Sequence, residues 1–468
     1  MRVPGAIGWI AGALSLLSCA ELPWRSYAAA PPSPTRAEMA TTATRIAAPL
    51  VTLDATHEYS LVELIDVAQR ANPDTRAAWE QARAAAARLG IAEAVYLPAL
   101  ALAISGGIRR NAFPAPMAPF SASGPFVEPH LTLTWILLDL SRFADVAVTR
   151  ALGQEASFTF CRRHQEVMFG VARAFFGLDA SHARLASTQA TLRSATVDEE
   201  AVQARLEVGL ATRPELLLAR EVRARAAYDV EAAAGTVRSS EAALAAAVGA
   251  PPVFDLRVAR VNAQALRERL SVPIQQILET TLRQRPDLQA LSAELRARAA
   301  AVRRAKGSFA PQLTLHGNVN YLGWDYETDP GGHAPLLSAL EYDAQLHLDW
   351  SLFAGFAHLN ALRAAEAERQ TSAATLTGGT LQALREAWTA YFDVQTAQRK
   401  LEFATALLDS AEEARAATLE TYRHGLGTLI DLLTAERDLA SARTTLVESR
   451  AELLTAAAAL ALAVGAAP

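Results

Sequence analysis

The segment Leu131-Thr132-Leu133-Thr134-Trp135-Ile136-Leu137 returns 215 residues later as Leu346-His347-Leu348-Asp349-Trp350-Ser351-Leu352. In both, Leu, Leu, Trp and Leu take every second position, a period that an extended strand turns into one apolar face. Upstream of each lies another alternating stretch, Leu100-Ala101-Leu102-Ala103-Ile104 and Leu313-Thr314-Leu315-His316, the latter running on through Asn318, Val319 and Asn320 to Tyr321. Four strands are therefore predicted, at about 98–108, 129–138, 311–322 and 341–352. Strands of about 9 to 11 residues with one apolar and one polar face suit an outer-membrane barrel wall. A half-buried sheet in a soluble domain shows the same alternation, and the strands alone favour that reading.

The echo extends over most of the chain. Asn72-Pro73-Asp74 and Tyr96-Leu97-Pro98 answer Arg285-Pro286-Asp287 and Phe309-Ala310-Pro311 at an offset of 213. Phe176, Gly209-Leu210, Leu216-Leu217 and Val248-Gly249-Ala250 answer Phe392, Gly425-Leu426, Leu432-Leu433 and Val464-Gly465-Ala466 at 216. Each copy reads short helix, Pro, medium helix, two strands, very long helix, Gly-Leu turn, shorter helix, Val-Gly-Ala. The long helix of the second copy is expected from about Phe356 to Arg423, which at 1.5 Å per residue spans about 100 Å. Its return partner, about Leu429 to Val464, covers about half of that length. The medium helix, about Pro286 to Ser308, is long enough to stack on the end of the return helix and complete the layer. Leu381, Leu384, Trp388 and Tyr391 form a coiled-coil-like seam. Gly378-Gly379 falls inside the long helix, where each Gly costs about 1 kcal/mol relative to Ala, and predicts a local bend.

Arg2, the apolar stretch from Ala6 to Leu17 and the small Ser18 read as an export signal over residues 1–18. Leu16-Leu17-Ser18-Cys19 resembles a bacterial lipobox, which implies cleavage before Cys19 and acylation of its thiol. The alternative is cleavage after Ala28-Ala29-Ala30. A linker over 19–59, lipid-anchored in the first case, then leads to the two repeats at 60–270 and 271–468. Cys161 has no partner for a disulfide framework.

No later stretch is long and apolar enough for a spanning helix, so a membrane crossing requires a closed barrel. Four strands cannot close one, since known barrels begin at about eight. Closure requires other chains, and three subunits would supply twelve strands. The connections from Arg109 to Glu128 and from Gly323 to Leu340 are Pro- and Gly-rich and are expected as surface loops.

The doubled plan, with Tyr-Leu-Pro at 96–98, Phe-Ala-Pro at 309–311, a Gly-Leu turn at both helix tips and a terminal Val-Gly-Ala, resembles the TolC family of outer-membrane efflux proteins from about Ser60 to the end. The fold class this implies is mainly α with a small β part: a homotrimer with a twelve-stranded barrel in outer-membrane lipid and a helical tunnel in the periplasm. The partners it implies are a periplasmic adaptor protein and an inner-membrane pump that exports drugs or metal ions. Type I protein secretion is the alternative within the class, and an exported coiled-coil scaffold the alternative outside it. The resemblance makes Arg205, Val208, Gly209, Leu210, His424, Gly425 and Leu426 adaptor-docking tips. It makes Asp431 and Tyr422 candidates for a periplasmic gate, although Thr434 stands where the family often has a second acid. A Gly that merely ends a helix, and an acid that merely complements a helix dipole, are the competing structural readings.

Chemistry of other kinds finds no support. The net charge of -5 provides no basic footprint for nucleic acid. The nine His are scattered, with no ligand-spaced pair on a helix, and neither a Gly-x-Ser-x-Gly elbow nor a phosphate loop occurs. His316 and His347, on neighbouring strands, are expected to be solvated. No enzymatic activity, metal or cofactor is expected.

Overall fold

The structure, a computed structural model, describes residues 51–54, 56–113, 120–253, 255–259, 273–329 and 332–466. The export signal and Cys19 lie outside these residues. The elements run β1 (Glu58–Tyr59), α1 (Leu61–Ala71), α2 (Pro73–Ala94), β2 (Ala99–Phe113), β3 (Phe120–Leu138), α3 (Leu140–Glu207), α4 (Arg213–Val248), β4 (Arg257–Val258), α5 (Ile274–Gln284), α6 (Pro286–Gly307), β5 (Gln312–Asp329), β6 (Gly332–Asp349), α7 (Ala357–Arg423) and α8 (Leu429–Val464). The run from α1 to α4 recurs from α5 to α8, so the fold is mainly helical and internally duplicated.

The two long helices, α3 with 68 residues and α7 with 67, organise everything else. α3 packs against α2, α4, α6 and α8, while α7 packs against α5, α6 and α8. Each shorter return helix meets a medium helix end to end. The C-terminus of α4 turns at Gly249 with φ +88°, where an added Cβ would stand 2.8 Å from Asn72 Cα at the head of α2. At the C-terminus of α8, Gly465 has φ +87°, and its Cβ would stand 2.9 Å from Arg285 Cα at the head of α6. Only Gly combines a left-handed backbone with so close an approach. The terminal Val-Gly-Ala of each repeat is thus the joint that lets two short helices match one long one. Side chains tie both joints: Asn72 Nδ2 donates to Ala247 O at 2.8 Å, and Arg285 Nη1 donates to Ala463 O at 3.3 Å.

The main core surrounds the first joint, where Leu64 of α1, Val171, Phe175 and Leu178 of α3, and Leu244 and Val248 of α4 are all fully buried. A second cluster, Ala387, Val394 and Ala397 of α7 with Leu453 and Leu460 of α8, surrounds the other. Elsewhere Ala fills the contacts, which keeps the helix axes close.

The sheet order is β2-β3-β5-β6, antiparallel throughout, so β2 and β6 each have one neighbour and one free edge. The strands are longer than the alternation suggested, and the two expected surface loops are largely ladder. Pairing continues from Arg109↔Gly124 out to Phe113↔Phe120, and from Gly323↔Ser338 out to Thr328↔Gly332. Pro125 and Pro129 are accommodated because β3 pairs them only with Ile108 and Ile104 of β2, and the ladder to β5 skips both. α7 is helical without interruption through Gly378-Gly379, the pair at which a local bend was expected. Gly379 serves packing: a Cβ there would stand 2.5 Å from Leu291 Cδ1 of α6.

Candidate functional site

The register gives the sheet two faces of opposite character. Leu102↔Leu131, Leu131↔Val319 and Val319↔Tyr342 align one row of apolar side chains across all four strands. The face continues along β6 through Leu340, Tyr342, Leu346 and Leu348 to Trp350 just past its end, each more than half exposed. So large a continuous apolar surface in water would be an aggregation hazard, and it marks a surface meant for another medium or another chain. The opposite face aligns His130, Asn320 and Glu341 in one row and Thr132, Asn318 and Asp343 in the next. Glu128 sits there too, held by Arg109 Nη2 at 2.6 Å and Asn320 Nδ2 at 2.9 Å. Glu128, Glu341, Asp343 and Asp349 outnumber Arg109 on this face, so it is acidic.

Two tryptophans mark where sheet gives way to helix. Trp135 Nε1 donates to Tyr96 O and Trp350 Nε1 to Phe309 O, both at 3.1 Å. Each indole keeps an exposed apolar body and a satisfied polar handle, the arrangement favoured at a membrane–water boundary. His316 and His347 face each other edge to face at 5.3 Å between ring centroids. Among the described residues no group of three His, Cys, Asp or Glu is placed to hold a metal ion. Nor is any described helix long and apolar enough to cross a membrane.

At the far end of the helices both tips close by the same backbone device. Leu210 N donates to Arg205 O at 2.7 Å and Gly209 N to Leu206 O at 3.0 Å, while Leu426 N donates to Thr421 O at 2.9 Å and Gly425 N to Tyr422 O at 3.1 Å. This pair of bonds is the Schellman arrangement, and Gly209 and Gly425 supply its left-handed residue at φ +79° and +74°. Val208, Leu210 and Leu426 project from the turns at 70%, 70% and 83% exposure, an apolar rim on an otherwise polar tip. His424 is exposed there, 3.9 Å from Glu420.

Of the residues singled out in the sequence, the fold joins Arg205 to Tyr422. The Arg205 guanidinium lies 4.6 Å over the Tyr422 ring, and its Nη1 donates to Tyr422 O at 3.3 Å. The two hairpins, α3–α4 and α7–α8, are thereby linked at their tips. Asp431 is engaged elsewhere: its Oδ2 accepts from the Thr428 hydroxyl at 2.6 Å and the Thr428 N–H at 3.0 Å, closing a capping box at the head of α8. These bonds, the hydroxyl first, hold the Asp431 carboxyl below its ordinary value. Thr212 and Glu215 build the same box at the head of α4. The Thr-x-x-acid spacing is a readable capping signal at both sites and assigns Asp431 a structural task. The Arg205–Tyr422 contact joins residues 217 apart and has no local signature.

A sheet with one apolar and one acidic face, carried on paired helices about 100 Å long, defines a membrane-channel subunit rather than an enzyme. The family model described as outer membrane efflux protein matches residues 64–250 and again 277–466, and the chain belongs to that family. The two matches coincide with the two structural repeats, and the family places the protein in the outer membrane. Protein CyaE of Bordetella pertussis is 27% identical over 419 residues, covering 88% of this chain and 85% of CyaE. Among solved structures, the outer membrane protein VceC of Vibrio cholerae matches with a TM-score of 0.73 at 21% identity, over 87% of this chain and 96% of its own. The CmeC outer membrane channel of Campylobacter jejuni matches with a TM-score of 0.74 at 18% identity, over 86% and 85%.

Proposed function

We propose that three copies of this chain close their sheets into one twelve-stranded barrel and their helices into one tunnel. The assembly passively conducts drugs or metal ions outward from a periplasmic adaptor and an inner-membrane pump. The observation that carries this reading is the pair of long free edges, β2 and β6, on a sheet whose apolar face is continuous to both. An edge of 15 to 18 residues left unpaired in a membrane would leave backbone groups unsatisfied at several kcal/mol each. Pairing β6 of one copy with β2 of the next removes every edge. Two copies would make eight strands, whose interior is filled by side chains, whereas twelve leave a passage. The apolar face then meets lipid and the acidic face lines the lumen.

At the other end, the apolar rim of Val208, Leu210 and Leu426 supports an adaptor-docking role for the tips, which display it to the periplasm. The Arg205–Tyr422 link is suited to hold the tunnel mouth narrow until a partner engages the tips. Asp431 contributes by fixing the start of α8 beside that link.

The acidic lumen has a direct electrical consequence. Replacing Glu341, Asp343 and Asp349 together by Gln, Asn and Asn is expected to lower the cation-over-anion permeability ratio severalfold at low salt, where carboxylate fields are least screened. Reversal potentials under a KCl gradient in planar bilayers measure this. An unchanged ratio would show that the acidic face does not line the conducting path.

A further inference from the structure

Asp198 on α3 belongs neither to the sheet nor to the Arg205–Tyr422 link at the tips. Its side chain is only 8% exposed, and its Oδ2 has no hydrogen-bond partner. It lies nine residues before the end of α3, about 14 Å from the tip. Glu436 of α8, also 8% exposed, is close by, and Arg415 of α7 donates to Glu436 Oε1 at 2.6 Å. Three helices from both hairpins thus converge on two buried carboxylates and one guanidinium that is already committed to Glu436. A cavity of about 410 Å³ between α4 and α8 borders Asp198 and is large enough to hold water.

The remaining charges around this point do not complete the set. Glu221, Arg225 and Asp229 of α4 and Arg437 of α8 line the same cavity. Glu199, next to Asp198 on α3, turns to Arg220 and Arg223 of α4 at 3.2 and 2.8 Å. A buried carboxylate with one oxygen left without a hydrogen bond, facing a second carboxylate, is costly in its ionised form and much less so when protonated.

We propose that Asp198 is a proton-operated latch between the two helical hairpins. With its proton, Asp198 packs against Glu436 and keeps α3 closed on α7 and α8. Without the proton, desolvation and like charge favour an arrangement in which water enters from the cavity and α3 separates from α8. The separation would loosen the tip-proximal third of the tunnel, immediately above Arg205 and Tyr422. That consequence rests on the channel reading, whereas the latch itself does not.

Burial first, then the Glu436 carboxylate, push the Asp198 carboxyl up to about 6 against the pull of Arg415. A group raised in the closed form and ordinary, near 3.8, in the open form favours closure at low pH. The preference for closure begins to fall as pH passes 3.8 and is fully lost above about 6. Linkage between these two values makes the opening constant rise about tenfold from pH 5 to pH 7.5.

The test is hydrogen exchange of the full-length protein, resolved to peptides covering residues 195–207 and 429–440, at pH 5 and 7.5 and corrected for intrinsic exchange rates. The wild type should open about tenfold more at pH 7.5. Asp198→Asn, isosteric and uncharged, should stay closed at both values. Glu436→Gln frees Arg415 to pair with Asp198 and should move the transition to lower pH, so the latch remains testable if Asp198→Asn fails to fold. Exchange that is pH-independent in the wild type, or a response that survives Asp198→Asn, would overturn the latch. Conductance is recorded on the same preparations. A pH response in exchange with no conductance at either pH would uphold the latch and overturn the channel reading.

Discussion

Replacing Arg285 by alanine is expected to destabilise the protein by about 3 kcal/mol, with a thermal midpoint several degrees lower by circular dichroism. Arg285 is 3% exposed and makes four hydrogen bonds to three residues at the joint between α8 and α6. Its Nη2 and Nε donate to the two Asp287 oxygens at 2.6 and 3.0 Å, and its Nη1 donates to Glu386 at 2.8 Å and to Ala463 O. Truncation strands two carboxylates and a carbonyl. The lower end of the range for broken buried pairs applies because Asp287 and Glu386 are each about one-third exposed and can recruit water. Burial works against ionisation of Asp287, but the Arg285 hydrogen bonds prevail and hold its carboxyl below the ordinary value. The stabilisation is therefore present at neutral pH and is lost as pH falls below 3.8 through the depressed value. The variant should lack this part of the acid sensitivity. Arg285→Lys cannot reproduce the two-pronged grip and should recover only part of the loss. A variant with unchanged stability would remove the joint from its structural role.

Replacing Trp388 and Phe403 together by Glu is expected to weaken the contact between copies along their helices, so that the assembly separates into single chains at a lower temperature than the parent. Leu381, Trp388, Phe392, Phe403 and Leu407 fall on one stripe of α7, each at least 40% exposed, and the tilted Trp388 and Phe392 rings lie 5.1 Å apart. The stripe lies outside the α7 residues that pack against α8 and α5, so a charge there leaves the subunit core intact. On the other side of the subunit, Trp79 and Ile91 of α2 and Leu217 and Tyr228 of α4 are left exposed in the same way. In the proposed ring, where β6 of one copy joins β2 of the next, these two sets would meet. Buried aromatic anchors are worth about 2 kcal/mol or more each, and the loss repeats at every interface of a ring. Native mass spectrometry in detergent over a temperature series measures it, and a double variant that kept the parental dissociation temperature would place the helix-side contacts elsewhere.

The helical architecture was readable because its signals are local. Thr-x-x-acid and Gly-Leu bracket the tips, Pro opens the medium helices, and Val-Gly-Ala closes each repeat. α8 accordingly runs over the expected Leu429–Val464. The strands were readable only where Leu and Trp alternate. Beyond Ile104 the apolar row passes through Gly106, Pro125 and Pro129, which look like loop residues although the register keeps them in the ladder. The packing of Gly379 was hidden for a related reason, because the Leu291 side chain that fills its Cβ position belongs to a helix distant in sequence. Arg205 on Tyr422, Arg285 on Glu386 and Asp198 beside Glu436 each join residues about 100 or more apart, and no periodicity reports such contacts.

The claim that organises all of this is that three identical sheets close into one conducting barrel. Mass and single-channel conductance of the detergent-purified mature protein in planar bilayers test it most directly. A mass of three chains is predicted, with a small, discrete conductance that rises when Arg205 and Tyr422 are replaced by Ala. A water-soluble single chain that conducts nothing would contradict it.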